Sequence, residues 1–405
     1  MPYEPTTNFI DTNNEDLGKK FVTKDYLFTV YESIIRNNNL TITPALWCWG
    51  NNSSGVLGTD GSPNRSTPVT TFAGGTNWKQ VSCGNFHTAA IKTDGSLWVW
   101  GSGGTGRLGT NTFFDKDTPV TTFAGGNDWK QVSCGGVHTA AIKTDGSLWV
   151  WGDNADGQLG INDSIFADKN TPVTTFAGGN NWKQVSCGTD HTAAIKADGS
   201  LWVWGSGGSG RLGTNLTASR SSPVTTFAGG TDWKQVSCGS IHTAAIKTDG
   251  SLWVWGDGAS GRLGTNNTVD KYTPVTTFAG GNDWKQVSSG VDHTMAIKTD
   301  GTLWGWGYGF SGKLGTNNSN SPLTPVTTFA GGNNWKQVSC GSGHTMAIKT
   351  DGTLWGWGDG ANGRLGTNST VDKSTPVTTF AGGGSWKQIS CGNGFTFAIK
   401  SDNYI

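Results

Sequence analysis

The motif L-W-x-W-G recurs seven times, beginning at Leu46, Leu97, Leu148, Leu201, Leu252, Leu303 and Leu354. The spacing is 51 residues, with a single step of 53. A second motif, W-K-Q-(V/I)-S-(C/S)-G, carries Trp78, Trp129, Trp182, Trp233, Trp284, Trp335 and Trp386, and the two motifs together hold all 21 tryptophans. Self-similarity at a fixed period means one supersecondary unit per copy, stacked on its neighbours. Strand-like runs punctuated by glycine, which makes up 63 of the 405 residues, fit a propeller blade better than a helical solenoid unit.

Each copy reads as four strands. In the copy that opens near Trp129 they are Gln131–Cys134, Thr139–Lys143, Leu148–Trp151 and Pro172–Phe176. Thr144-Asp145-Gly146 between the second and third is a three-residue hairpin loop, a type I turn closed by a left-handed glycine. That turn fixes the register. It opposes Lys92 to Ser96, Ile91 to Leu97, Ala90 to Trp98 and Ala89 to Val99. Four copies keep Ala/Val at the last pair, and two change it to Met295/Gly305 and Met346/Gly356. One side grows as the other shrinks, as directly opposed and close-packed side chains require. The last copy stops after Phe397-Ala398-Ile399-Lys400, while the first L-W-x-W-G, at 46–50, has no strand before it. The expected solution is that 46–50 completes the last blade and sets Phe397 against Cys48. The ring then closes and leaves no open edge. The fold class is all-β, a seven-bladed β-propeller of four-stranded antiparallel blades over 41–405, preceded by a segment 1–40.

The run W-G-x-x-x-x-G-x-L-G, as in Trp204 to Gly213, with V-S-C-G-x-x-H-T-A-A-I-K, as in Val236 to Lys247, resembles the repeat of the regulator of chromosome condensation family. The resemblance covers nearly the whole chain from residue 46 onward. It implies a seven-bladed β-propeller and leaves function open. Propellers of this repeat include the nuclear exchange factor for the GTPase Ran and β-lactamase inhibitory protein II, so fold and function separate.

Lys+Arg and Asp+Glu are both 29, a formal net charge of zero. A chain without cationic surplus is a poor candidate for nucleic acid. No apolar run is long enough for a membrane span, and residues 1–16 carry no signal-peptide pattern. Without a signal peptide the expected location is the cytoplasm, or a virion if the chain is a phage protein.

The seven copies can be compared with one another. Strands, T-D-G and F-A-G-G barely change. Variation sits in the pair before each His and in the long connection from W-G to P-V-T-T-F. In an up-and-down blade these segments share one end, so one rim is uniform and the other diversified. Diversified loops on a rigid scaffold are a way to build a binding surface; loop drift after recent duplication would leave the same pattern. The candidate partner-binding residues are Phe86, Phe113, Phe114, Val137, Phe166, Asp190, Ile241, Asp292, Tyr308 and Phe310, the aromatics serving as anchors.

Other columns read as structural. His87, His138, His191, His242, His293 and His344 share one position, filled by Phe395 in the last copy. A histidine ring raises the question of a metal or acid–base site. Equivalent positions in different blades need not converge, however, and each His adjoins a tight Gly-containing loop. The cysteine column (Cys83, Cys134, Cys187, Cys238, Cys340, Cys391) has Ser289 in one copy and no C-x-x-C, which suits buried reduced thiols. Aspartate in T-D-G marks turn chemistry. Arg107, Arg211, Arg262, Lys313 and Arg364 brace their own loops or form a steering ring. The expectation is no catalytic residue, no metal and no cofactor.

Residues 1–45 do not repeat. Thr23 can cap a helix over about 23–36, with Tyr26, Leu27, Val30, Tyr31, Ile34 and Ile35 forming one apolar stripe. The run from Asp16 to Leu27 is similar to short N-terminal segments of tail-associated structural proteins of large tailed phages. That resemblance implies an attachment segment contacting virion structural proteins, with the variable rim presented to a host-surface protein or glycan. The leading expectation is therefore a non-enzymatic protein-binding virion or tail-appendage component, compatible with a homo-oligomer. The alternative is a soluble propeller that inhibits or regulates a partner protein. A propeller enzyme is the third class.

Overall fold

The computed structural model describes residues 45–74 and 77–401. The segment 1–40, with the helix expected over about 23–36 and the apolar stripe expected on it, lies outside the described residues.

The described chain forms seven four-stranded antiparallel sheets. Blade 1 comprises, from the axis outward, Trp78–Cys83, His87–Lys92, Leu97–Gly101 and Lys116–Thr121. Blades 2 to 6 repeat the pattern from Trp129, Trp182, Trp233, Trp284 and Trp335. Blade 7 takes Trp386–Cys391 and Phe395–Lys400 from the C-terminal end, and Ala45–Gly50 and Arg65–Thr70 from the N-terminal end. The expected closure is therefore made, with Phe397 opposite Cys48.

The hairpin register also matches. Ile91, Ala90 and Ala89 pair with Leu97, Trp98 and Val99, Gly95 turns at φ +84°, and the Lys92 N–H donates to Ser96 O at 3.0 Å. Met295 faces Gly305 and Met346 faces Gly356. A Cβ on Gly305 would meet Met295 Sδ at 2.6 Å, so the size exchange read from the copies is a real contact.

Two of the four strands differ from expectation by more than one residue at an end. The innermost strand starts at Trp129, not Gln131, because Trp129 pairs with Lys143 and Gln131 with Ile142. Lys130 is left unpaired in a β-bulge. The same bulge recurs in all seven blades. The outermost strand runs Lys169–Thr174, not Pro172–Phe176. An edge strand tolerates Pro, which lacks a donor, and positive φ at Gly178 and Gly179 turns the chain immediately afterwards. Phe176 falls past the strand.

The W-K-Q-V-S-C motif explains how blades join. Gln80 acts as an extra peptide unit toward the next blade: its Nε2 donates to Val132 O and its Oε1 accepts the Val132 N–H. Ser82 Oγ accepts the Cys134 N–H at 2.9 Å. The closing interface repeats this through Gln388 and Ser390 onto Val81 and Cys83. Within each blade the innermost Trp lies edge-on to both third-strand tryptophans, as Trp78 does to Trp98 and Trp100 at 6.3 Å. Each such pair adds roughly 0.5–1.5 kcal/mol beyond area burial. A lysine from the second strand caps the group, with Lys92 Nζ 4.2 Å from the Trp98 ring centre.

Candidate functional site

The pair before each His and the connection after W-G do share one end of the blades. The second residue of each pair offers its carbonyl to the first N–H after W-G: Phe86 to Ser102, Val137 to Asp153, Asp190 to Ser206 and Asp292 to Tyr308. Backbone is fixed there while side chains are free to differ. The first residues, among them Asn85, Thr189, Ser240 and Val291, line the mouth of a central cavity of about 90 Å³.

Beneath this mouth the frame is tight. A Cβ on Gly84 would collide with Gly135 O and lie 2.8 Å from the His87 ring. Thr139 Oγ1 donates to Arg107 O at 2.8 Å, so it accepts from His87 Nε2 at 2.7 Å. That fixes the tautomer and leaves Nδ1 as a bare, buried acceptor without a hydrogen-bond partner. The arrangement repeats for all six histidines. Burial holds each in the neutral form, with His138 and His242 pushed down to about 3. At His293, Asp292 Oδ1 at 3.6 Å from Nδ1 works against that burial. In blade 7, Phe395 is buried in the histidine position.

The cysteines of the column are free and buried, and burial raises their thiols, Cys134 to about 12. Cys340 Sγ donates to Ser288 O at 3.2 Å, and Ser289 Oγ makes the equivalent bond to Ser237 O at 3.2 Å. Ser289 thus replaces a hydrogen-bonding thiol like for like. Among the described residues no group of three or more His, Cys, Asp or Glu could hold a metal ion.

The basic column mostly braces loops. Arg107, Arg211, Arg262 and Arg364 each donate Nε to the carbonyl three residues earlier. Lys313 differs: its ammonium pairs with Asp292 at 3.0 Å and also reaches Ser342 O.

Of the candidate binding residues, Phe86, Phe113, Phe114, Phe166, Tyr308 and Phe310 are exposed, Phe114 most at 75%. Val137, Asp190, Ile241 and Asp292 are half-buried. Tyr308 and Phe310 stack with centroids 6.0 Å apart, and the Arg107 guanidinium lies 5.4 Å from the Phe86 ring centre. Phe86, Phe113 and Phe114 belong to blade 1. Phe166 lies in the blade 2 connection, which also carries Asp153, Asp156, Asp163 and Asp168. Gln158 stands there where most blades have Arg. The Asp190 carboxyl is raised by burial and by Asp156.

The other end of the blades holds residues that sequence reasoning misses. Phe72, Phe123, Phe176, Phe227, Phe278, Phe329 and Phe380 follow the outermost strands, each 63–66% exposed. Each bulge exposes a lysine, from Lys79 in blade 1 to Lys387 in blade 7. Identity across seven exposed positions was the available signal.

The profile of the RCC1-like domain matches residues 37–285 and 103–405. The ultraviolet-B receptor UVR8 of Arabidopsis thaliana is 35% identical over 334 residues, covering 81% of this chain and 76% of the receptor. The human E3 ubiquitin-protein ligase HERC2 is 28% identical over 371 residues, covering 88% of this chain but only 8% of the ligase. Among solved structures, yeast RCC1 (Prp20) bound to Kap60 superposes with a TM-score of 0.77 at 19% identity, over 89% of this chain and 90% of that one.

Proposed function

The chain belongs to the RCC1-like domain family, and on that premise we propose that it is a non-enzymatic, protein-binding propeller that inhibits or regulates a partner protein. One observation carries the reading: seven copies share a frame and differ at one end, where the differing loops expose aromatic side chains that are not the same from blade to blade. Phe86, Phe113, Phe114 and Phe166 supply anchors on blades 1 and 2, with the aspartates of the blade 2 connection beside them. Tyr308 and Phe310 form a second anchor pair on blade 5. Such a patch suits a partner surface that combines apolar pockets with basic residues. A structural neighbour was crystallised with a protein bound, which agrees with a role in binding. The ligase activity in the name of HERC2 belongs to a protein of which this chain spans 8%. The histidines are buried and committed to threonines, which favours structure over acid–base chemistry.

A virion appendage remains the second reading. It rests on the dozen residues from Asp16 to Leu27 alone, and the relatives named above add nothing to it.

The test places a photo-cross-linking amino acid at position 114, 310 or 123 in the full chain, expressed in its native host. Cross-links to one protein from 114 or 310, lost in a Phe86→Ala/Phe113→Ala variant, are expected. Cross-links to the same protein from 123 alone would move the binding site to the other end. Cross-links to virion structural proteins would restore the second reading.

A further inference from the structure

We propose that the uniform end of the propeller is a docking face for an anionic lipid surface. The proposal stands independently of the protein partner assigned to the variable end.

The chain crosses this end seven times. Each crossing runs from the outermost strand of one blade to the innermost strand of the next, through F-A-G-G and into W-K-Q. Pairing of Trp47 with Thr70 and of Trp78 with Lys92 puts both ends of the crossing at the T-D-G level. A phenylalanine therefore stands at the perimeter and a lysine near the axis, once per blade. The bulge matters because an unpaired residue re-aims its side chain. All seven bulge lysines are exposed, and among the described residues none makes an ion pair.

Packing does not demand these residues. The phenylalanines stay about two-thirds exposed. At Gly125, Gly178 and Gly229, beside them, an added Cβ would meet nothing within 4 Å. Yet the seven copies that diverged at one end kept the same exposed apolar and cationic groups at the other. Sameness around a closed circle fits a partner that looks the same from every direction. A fluid lipid surface does; an ordinary protein does not.

Charge narrows the choice further. The whole-chain balance of zero conceals a separation. In the described propeller, the uniform end carries fourteen lysines: seven in the bulges and seven at the ends of the second strands. Against them stand six turn aspartates (Asp94 and its equivalents) and Asp128, Asp232 and Asp283, a surplus of five positive charges. The other eleven bases face thirteen acids. Face-to-face stacking of a second copy would oppose like charges. Anionic headgroups complement the lysines, and phenylalanines partition into the interfacial region. Seven equivalent weak contacts on one rigid disc act together. No helix among the described residues is long and apolar enough to cross a membrane, so attachment would be peripheral.

The test is vesicle flotation of the full chain at about 0.1 M salt. It compares phosphatidylcholine vesicles with and without a quarter of phosphatidylserine. Binding only to the anionic vesicles, weakened by salt, is expected. Lys79→Gln/Lys234→Gln/Lys336→Gln should weaken it about a hundredfold, at about fivefold per lysine. Phe123→Ser/Phe227→Ser/Phe329→Ser should weaken it at least tenfold, and Phe113→Ser/Phe114→Ser should leave it unchanged. All these positions are exposed, so circular dichroism should report folded variants. Equal binding to both vesicle types, absence of binding, or indifference to the lysine and phenylalanine variants would overturn the proposal. So would sedimentation showing a dimer dissolved by the phenylalanine variant, or heparin binding without vesicle binding.

Discussion

The two ends of the blades invert the usual relation between packing and variation. At the variable end, side chains differ from blade to blade directly above a tight part of the frame, where an added Cβ on Gly84 would collide with the next blade and His87 is locked to Thr139. At the uniform end, the exposed phenylalanines and lysines are the same in every blade, although an added Cβ on the nearby Gly125 or its equivalents Gly178, Gly229, Gly280, Gly331 and Gly382 would meet nothing within 4 Å. Backbone packing explains constancy beneath the variable end and does not explain it on the surface of the uniform end. Constancy there points to a shared contact, and variation at the other end to an individual one.

The same substitution at each end separates these two kinds of constancy. Gly84→Ala drives a methyl group onto Gly135 O and the His87 ring, and all seven interfaces share that geometry. A cost of about 3 kcal/mol or more is expected, at the upper end for overpacking. Gly125→Ala meets no neighbour and pays only for its positive φ of 56°, about 1 kcal/mol. Urea unfolding followed by tryptophan fluorescence would compare them. Equal costs would mean that the uniform end is held by packing after all.

Acid should act on the frame below the variable end. Each buried His has its folded value depressed below the usual 6.5, to about 3 for His138 and His242. The unfolded chain then takes up protons that the folded one refuses. Stability is fully present above about pH 6.5 and is lost as pH falls from there toward 3, by up to about 1.4 kcal/mol per pH unit for each His. His87→Phe copies what blade 7 already has in Phe395. It should remove about one proton from the pH dependence of unfolding while the fold persists. An unchanged pH slope would show that His87 is not excluded from protonation.

A third effect lies between the ends, at the Met295–Gly305 contact. Gly305→Val should cost about 2 kcal/mol through collision with Met295 Sδ, and Met295→Ala should also cost about 2 kcal/mol through a cavity. The double variant restores the Ala/Val pair of blades 1 to 4, so the two costs should cancel in large part. Additive losses would show that the blades do not share one packing solution.

This contact was legible because seven copies supply their own controls and the T-D-G turn sets the register without help from tertiary structure. Ring closure was legible for a similar reason: two incomplete units complement each other. The bulge at Lys79 was not: it does break the two-residue alternation, with buried positions at 78, 81 and 83, but a strand begun at the Gln80 position, beyond the bulge, hides that break. Phe176 reads as strand because T-T-F has β-type composition, but its N–H donates to Gly160 O and the chain turns at the two left-handed glycines after it. Charge misleads in another way, because a sum over the whole chain says nothing about which end holds which sign. At the variable rim, the repeat comparison puts Val137, Asp190, Ile241 and Asp292 on the end where the structure has them. Their exposure is set by backbone bonds that composition does not record.

The smallest effect on stability is the sharpest probe of the division. Phe114→Ser and Phe123→Ser remove similar exposed rings, one on each end of adjoining chain, and each should shift unfolding by no more than about 0.5 kcal/mol. Their consequences should part completely. Phe114→Ser should weaken the partner cross-linked from the variable end at least tenfold, as expected of an aromatic anchor, and leave vesicle binding alone. Phe123→Ser should do the reverse, with a modest loss because six equivalent rings remain. The measurement is one titration of each variant against the purified partner and one against anionic vesicles. If both variants weaken the same ligand to the same degree, the ends are not separate surfaces, and the contrast between a varied rim and a constant one records only the history of the copies.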